Sequence, residues 1–177
     1  MKLHLGCGDK YLQGFVNIDI RKTKANDVID NIFYLSTIED SSAEVIYASH
    51  VLEHVPRNKI KSVLKLWNKK LKKGGTLRIS VPSFEKVVQA YNLGFPMKKL
   101  LGFLVGGQKN RYDYHKMVFD FQTLKDHLEN SSFANIREYD WRKTEHFCID
   151  DYSQAYLPHM EKESGIMMSL NVEAEKI

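Results

Sequence analysis

At 177 residues, 43% of them apolar and 27% charged, the chain suits one soluble globular domain with a real core. Its formal net charge of +4 is only mildly basic and does not demand a polyanionic partner. No apolar run nears the ~20 residues of a membrane span, glycine breaks the first apolar run before a signal-peptide core can develop, and two cysteines, Cys7 and Cys148, make neither a disulfide framework nor a zinc pattern. A reduced, cytoplasmic setting is therefore expected.

In chain order, Leu3 to Leu5 is long enough for a buried strand and breaks at once into Gly6-Cys7-Gly8. A second run, Phe15 to Ile20, carries Asp19 near its end. Strand, glycine turn, strand and terminal carboxylate are the ground plan of a nucleoside pocket in a parallel α/β sheet, although an ordinary tight turn reads the same way. Gly6 and Gly8 can take positive φ and have no Cβ, so a ligand can lie against backbone N–H groups. Asp19 offers two acceptor oxygens, which suits the paired hydroxyls of a ribose. The dinucleotide fingerprint is broken twice. Asp9 and Lys10 stand where a third glycine would come, and Asp19 follows Gly8 by eleven positions instead of the usual ~20. Little room remains for a first helix to sit beneath a pyrophosphate, so a dinucleotide is disfavoured.

His4 falls between Leu3 and Leu5, on the opposite face of its strand, and reads as a core histidine. Asp27–Asp30 is a short third strand. Residues 31–43 are irregular, and Glu44–Ser49 is a fourth strand that leaves Ser49 and His50 at its carboxyl end, beside the crevice where open α/β sheets hold ligands. A helix follows from Pro56-Arg57 to about Lys73, stopped by Gly74-Gly75. Its lysines form a solvated face, while Ile60, Val63, Leu64, Trp67 and Leu71 recur at helical spacing and should be buried. With Trp67 on the inner side, the exposed face lacks the aromatic or arginine interleaving of a nucleic-acid surface, so nucleic acid is an unlikely partner. Thr76–Val81 is a fifth strand ended by Pro82.

The blocks LHLGCG, GFVNIDI, VIYASHVLEHV and LKKGGTLRISVPS, in that order, resemble the class I S-adenosylmethionine-dependent methyltransferases. The resemblance is to the small members with a shortened first helix, often described as predicted enzymes of surface-saccharide gene clusters, and it is strong over residues 2–82. It implies a Rossmann-like, doubly wound α/β fold with a mostly parallel seven-stranded sheet and an antiparallel last strand. It also implies a single domain over 1–177, with a cofactor-binding half (1–82) and substrate-facing insertions and last strands (83–177). The implied cofactor is S-adenosylmethionine, and the implied reaction is methyl transfer to a small-molecule acceptor such as a hydroxyl of a saccharide or its precursor. Carried over residue by residue, Leu5, Gly6, Cys7 and Gly8 should lie along the methionine portion, and Asp19 with Ile20 at the ribose. Asp30 and Asn31 should lie beside the adenine amino group, and Ser49 and His50 should face the sulfonium. A turn built from Asp30 and Asn31 is the other reading there. Glu53-His54 belongs to a family signature that should hold the turn into the next helix. VPS at residues 81–83 lacks the Asp/Asn-Pro-Pro-aromatic motif of base amino-methyltransferases. A binding module without catalysis and a nicotinamide-type oxidoreductase are the competing classes.

Beyond Ser83 the pattern loosens. A helix is expected near 84–92, and a short one over Lys98–Val105 against the pocket. In residues 106–120, Arg111, Tyr112, Asp113, Tyr114 and His115 crowd polar and aromatic groups into a loop, either for substrate contact or as a cap. A hydroxyl acceptor needs a base near neutral pKa; His115 is the first candidate for it and His50 the second. Asp120 should cap a helix over Phe121–Asn130, and Ala134–Trp141 and Met167–Ala174 should be the last strands. The connection holding His146, Asp150, Asp151, Tyr152 and His159 either folds over the pocket or pairs with another subunit, and oligomeric state stays open. The seven histidines are scattered and no metal site is expected. Cys7 has no base partner in sequence for a nucleophilic role.

Overall fold

The computed structural model describes residues 1–177. Five strands carry the first half, β1 (Lys2–Leu5), β2 (Val16–Asp19), β3 (Val28–Ile29), β4 (Ala43–Ser49) and β5 (Leu71–Pro82), with helix α1 (Ile60–Lys70) between the last two. Helices α2 (Phe84–Asn92), α3 (Met97–Val105) and α4 (Phe121–Glu129) precede β6 (Phe133–Glu138), β7 (Tyr156–Leu157), β8 (Ile166–Met167) and β9 (Ser169–Lys176). Seven strands form one sheet in the order β3-β2-β1-β4-β5-β9-β6. Only β9 runs against its neighbours, as the antiparallel last strand required. β7 and β8 make a separate two-stranded ribbon.

Side-chain alternation sorts this sheet into two unlike faces. Leu3, Leu5, Ile18, Ile46, Ala48, Leu77, Ile79, Val81, Leu170, Val172 and Ala174 all join the main apolar core. Against them pack Ile60, Val63, Leu64 and Trp67 of α1 and Leu124 and Leu128 of α4, the positions that helical spacing singled out. Trp67 is wholly buried and its indole N–H donates to the Ile32 carbonyl at 3.1 Å, so the largest core side chain leaves no polar atom unpaired. Ser83 and Asp120 cap α2 and α4, accepting from the backbone N–H groups of Lys86 and Thr123. α1 ends three residues before Lys73, because buried Leu71 is already extended and pairs with Ala43.

The other face is polar: His4, Asn17, Tyr47, Arg78, Ser80, Asn171 and Glu173 occupy the alternate positions. The expected shortened first helix is reduced to a turn, and no helix joins β1 to β2, β2 to β3 or β3 to β4. The irregular segment 139–155 covers this face instead of a helix layer. Its cover is held by pairing, as buried polar groups require. The Tyr47 hydroxyl donates to Asp151 Oδ2 at 2.6 Å, and the His146 ring stacks on Tyr47 with centroids 3.9 Å apart. Arg78 bridges Glu145 and Glu173. Asn171 donates from Nδ2 to the Ser153 carbonyl at 3.0 Å. A small second core of Val87, Ala90, Leu100, Leu157 and Met168 fastens the β7–β8 ribbon to α2 and α3. The long connection therefore folds back on its own chain. The last strands shift accordingly: β6 stops at Glu138, Ile166–Met167 belong to the ribbon, and β9 starts at Ser169. No helix is long and apolar enough to cross a membrane.

Candidate active site at the carboxyl ends of the first and fourth strands

A cleft of about 570 Å³ opens where β1 and β4 end, between neighbours whose chain connections diverge to opposite sides. Its size and position are those of a small-ligand site at a switch point of an open sheet. Gly6, Cys7 and Gly8 form one side with Ser49 and His50, and Phe103 of α3 borders it. Asp150, Asp151, Tyr152 and the β7 strand form the opposite wall.

The turn needs glycine most at its first position. Gly6 has φ +64° and Gly8 φ +54°. A Cβ on Gly6 would lie 2.5 Å from Val51 Cγ2. Asp19, 5% exposed, closes the turn from behind: its Oδ2 accepts from the Gly8 N–H at 2.9 Å and its Oδ1 from the Arg21 N–H at 2.8 Å. Burial, seconded by Asp19, pushes the Cys7 thiol up to about 12, so it stays protonated and is no nucleophile.

Of the residues singled out from sequence, Gly6, Cys7, Gly8, Ser49 and His50 meet at the cleft. Leu5 is fully buried beneath it, and Ile20 is exposed. Asp30 spends its carboxylate on its own turn: it accepts from the Asn31 N–H at 2.6 Å, the Thr37 N–H at 2.9 Å and the Thr37 hydroxyl at 2.7 Å. Burial works against its ionisation, and these donors, Thr37 foremost, outweigh burial and hold it below the usual carboxylate range. Asn31 accepts from the Phe33 N–H at 3.0 Å, completing the turn. Arg21 is no part of the sequence reading of the site, and the connection holding Asp150, Asp151, Tyr152 and His159 takes the first of its two expected courses, over the cleft. Arg21 stands just past the β2 carboxylate, a position the motif itself marks, whereas the wall has no periodicity to betray it.

His115 lies outside the cleft lining, on the far side of Glu53 from His50. His50 takes φ +53°, uncommon for a residue with a Cβ and frequent at functional sites. That turn puts its Nδ1 3.2 Å from Glu53 Oε1, off the line of a hydrogen bond, while His115 Nε2 lies 3.9 Å from the same oxygen. The His54 ring meets the His115 ring edge-on at 4.9 Å. Glu53 is 1% exposed, and its carbonyl accepts from the N–H groups of Lys116 (2.7 Å) and Met117 (3.2 Å), tying the 52–54 turn to the polar loop. Burial opposes ionisation of the Glu53 carboxyl, and the histidines around it, His50 first, outweigh burial and hold it below the usual range. Burial pulls His115 below the usual histidine range, against the attraction of Glu53. The histidines are thus not scattered in space. His50 and His54 stand four apart with Glu53 between them, an H-x-x-E-H spacing that was legible in the sequence and passed over.

No protein-family model matches the chain, and no curated protein matches its sequence. Solved structures match its fold over nearly the whole length. A methyltransferase dependent on S-adenosylmethionine from Methanosarcina mazei superposes with a TM-score of 0.60 at 18% identity, covering 99% of this chain and 92% of that one. One from Archaeoglobus fulgidus gives 0.58 at 17% identity, covering 99% and 85%. The fold is that of the class I S-adenosylmethionine-dependent methyltransferases. A third methyltransferase structure, from Thermotoga maritima, matches with a TM-score of 0.58 at 12% identity, covering 99% and 82%. At these identities the likeness to the methyltransferases is one of architecture.

Proposed function

We propose that the whole chain works as one S-adenosylmethionine-dependent methyltransferase domain acting on a small-molecule acceptor, with a hydroxyl of a saccharide or its precursor as the acceptor class. The observation that carries the reading is the Gly6-Cys7-Gly8 turn on the lining of a cleft in a methyltransferase fold, with Gly8 hydrogen-bonded to Asp19 behind it. The residues fit the cofactor. Glycine at positions 6 and 8 keeps side chains off this edge of the cleft, while the Cys7 and Gly8 N–H groups are taken by the Ile18 carbonyl and Asp19. Asp19 accepts once from Gly8 and twice from Arg21, and a carboxylate with about four acceptor positions keeps about one for a ribose hydroxyl. With the Asp30 carboxylate spent on its turn, Asp30 and Asn31 border the adenine edge through their backbone, and Ile20 packs beside the ribose.

Bound S-adenosylmethionine supplies a methyl group on a cationic sulfur whose departure as a neutral thioether needs no acid. The protein's task is then positioning and exclusion of water. Ser49 and His50 face the methyl end. The 150–157 wall closes the cleft, fixed by Tyr47 on Asp151. His50 meets the acceptor from the cleft side, and His115 acts from behind Glu53. A cytoplasmic setting suits the two free cysteines, Cys7 and Cys148. Binding without turnover is the second reading, favoured by one observation: both ring nitrogens of His50 face protein groups.

Calorimetry with S-adenosylhomocysteine, then a screen of sugars and sugar nucleotides for uptake of labelled methyl, tests both readings. Binding with uptake supports the enzyme, and binding without uptake by any acceptor supports the module. Absence of binding overturns both.

A further inference from the structure

We propose that Glu53, His54 and His115, with His50 beside them, form a binding site for a divalent transition-metal ion of the zinc type. One ligand atom from each of Glu53, His54 and His115 lies within 4.8 Å of the others. Ligands on one zinc ion at ~2.0–2.2 Å stand within about 4 Å of each other, so the three atoms need to draw together by about 1 Å.

The hydrogen bonds around the cluster select the atoms. His54 Nδ1 lies 3.1 Å from the Tyr114 carbonyl, and His115 Nδ1 lies 3.1 Å from the Phe103 carbonyl. A carbonyl only accepts, so each Nδ1 carries the proton, and a neutral ring keeps its Nε2 lone pair. This backbone support is the arrangement usual behind metal-bound imidazoles. His50 follows by a different route. The Ser169 hydroxyl donates its one hydrogen to the Tyr152 carbonyl at 2.5 Å, so His50 Nε2, 2.8 Å from that hydroxyl, must be the donor. Its Nδ1 then faces Glu53 Oε1 at 3.2 Å and carries a lone pair in the neutral ring.

Lone pairs thus converge on a carboxylate with nothing between them. Glu53 is 1% exposed, and neither of its oxygens has a hydrogen-bond partner. A buried carboxylate in that state has only the imidazoles around it to offset its charge, and a bound cation would meet that need directly. The surroundings are built rather than loose. The N–H groups of Lys116 and Met117 hold the Glu53 carbonyl, and His115 N–H donates to Val105. The Asp113 carbonyl would lie 2.2 Å from a Cβ at Gly106, an approach only glycine permits. Imidazole nitrogens with one carboxylate favour zinc, cobalt or nickel over magnesium or calcium.

The test uses tag-free protein, stripped with a chelator and re-exposed to Zn²⁺ or Co²⁺ alone, with no cofactor. Wild type should retain one ion per chain by elemental analysis, and Co²⁺ should give a visible spectrum of nitrogen and oxygen ligation. Affinity should fall at least about tenfold in Glu53→Gln and His54→Ala, and stay unchanged in His127→Gln, which lies outside the cluster. His54 is half-buried, so His54→Ala keeps the test alive if Glu53→Gln fails to fold. No bound ion in wild type, or equal binding by wild type and His54→Ala, overturns the site and leaves a protonated histidine as the partner of Glu53. Because cofactor is absent throughout, failure here does not touch the methyl-transfer reading, nor the reverse.

Discussion

The backbone N–H of Gly8 donates to Asp19 Oδ2 at 2.9 Å, joining the glycine turn after β1 to the last residue of β2. One carboxylate therefore shapes the turn, and the proposed function gives it the ribose as well. Replacing Asp19 by Ala should weaken S-adenosylhomocysteine binding by ~1–3 kcal/mol, since hydroxyls and the Gly8 N–H lose an acceptor together. Calorimetry checks it; wild-type affinity in Asp19→Ala would remove the residue from the site.

Gly6→Ala should destabilise the fold by about 1–3 kcal/mol, from positive φ and from the 2.5 Å approach of its Cβ to Val51. Adding Val51→Ala relieves the clash but not the backbone strain. The double variant should regain part of the loss relative to Val51→Ala alone, as read by urea denaturation in a double-mutant cycle.

Tyr47→Phe keeps the ring stack on His146 and removes the 2.6 Å hydrogen bond to Asp151. A loss of ~1–3 kcal/mol is expected, with faster amide exchange concentrated in residues 146–155. Uniform exchange changes across the sheet would show that Tyr47 does not hold this wall.

Stability should fall on acidification. Burial lowers His146 to about 4 and moves His4 downward as well, against ordinary values of 6.5. Their folded pKa values lie below the unfolded ones, so the unfolded chain takes up protons first. The contribution is complete above pH 6.5 and is lost as pH falls toward 4, on the order of 3 kcal/mol for His146. Glu145 acts in the same direction but adds little in that window. Burial works against its charge, but its own backbone N–H and Arg78 hold it at about 2, so its contribution lasts to lower pH. His146→Phe should flatten denaturation midpoints between pH 6.5 and 4; an unchanged slope would show that another group is responsible.

The strands, the glycine turn, the Asp19 carboxylate and the buried stripe of α1 were legible because each is written in a few neighbouring residues: an apolar run, two glycines, a 3.6-residue period. Asp30 was legible as a turn for the same reason. What only the tertiary structure decided is the polar face of the sheet, hinted at by His4 and Asn17 but covered by a segment, 139–155, that has no period to read. It also decided the meeting of Glu53 with His115, sixty-two positions later. Local signals come from contacts within a turn of helix or a pair of strands, whereas a loop's destination depends on which distant carbonyls and hydroxyls can satisfy its polar groups once the sheet exists. Here Lys116, Met117, Tyr47 and Asn171 make those bonds, and they bring His50, Glu53, His54 and His115 to one place.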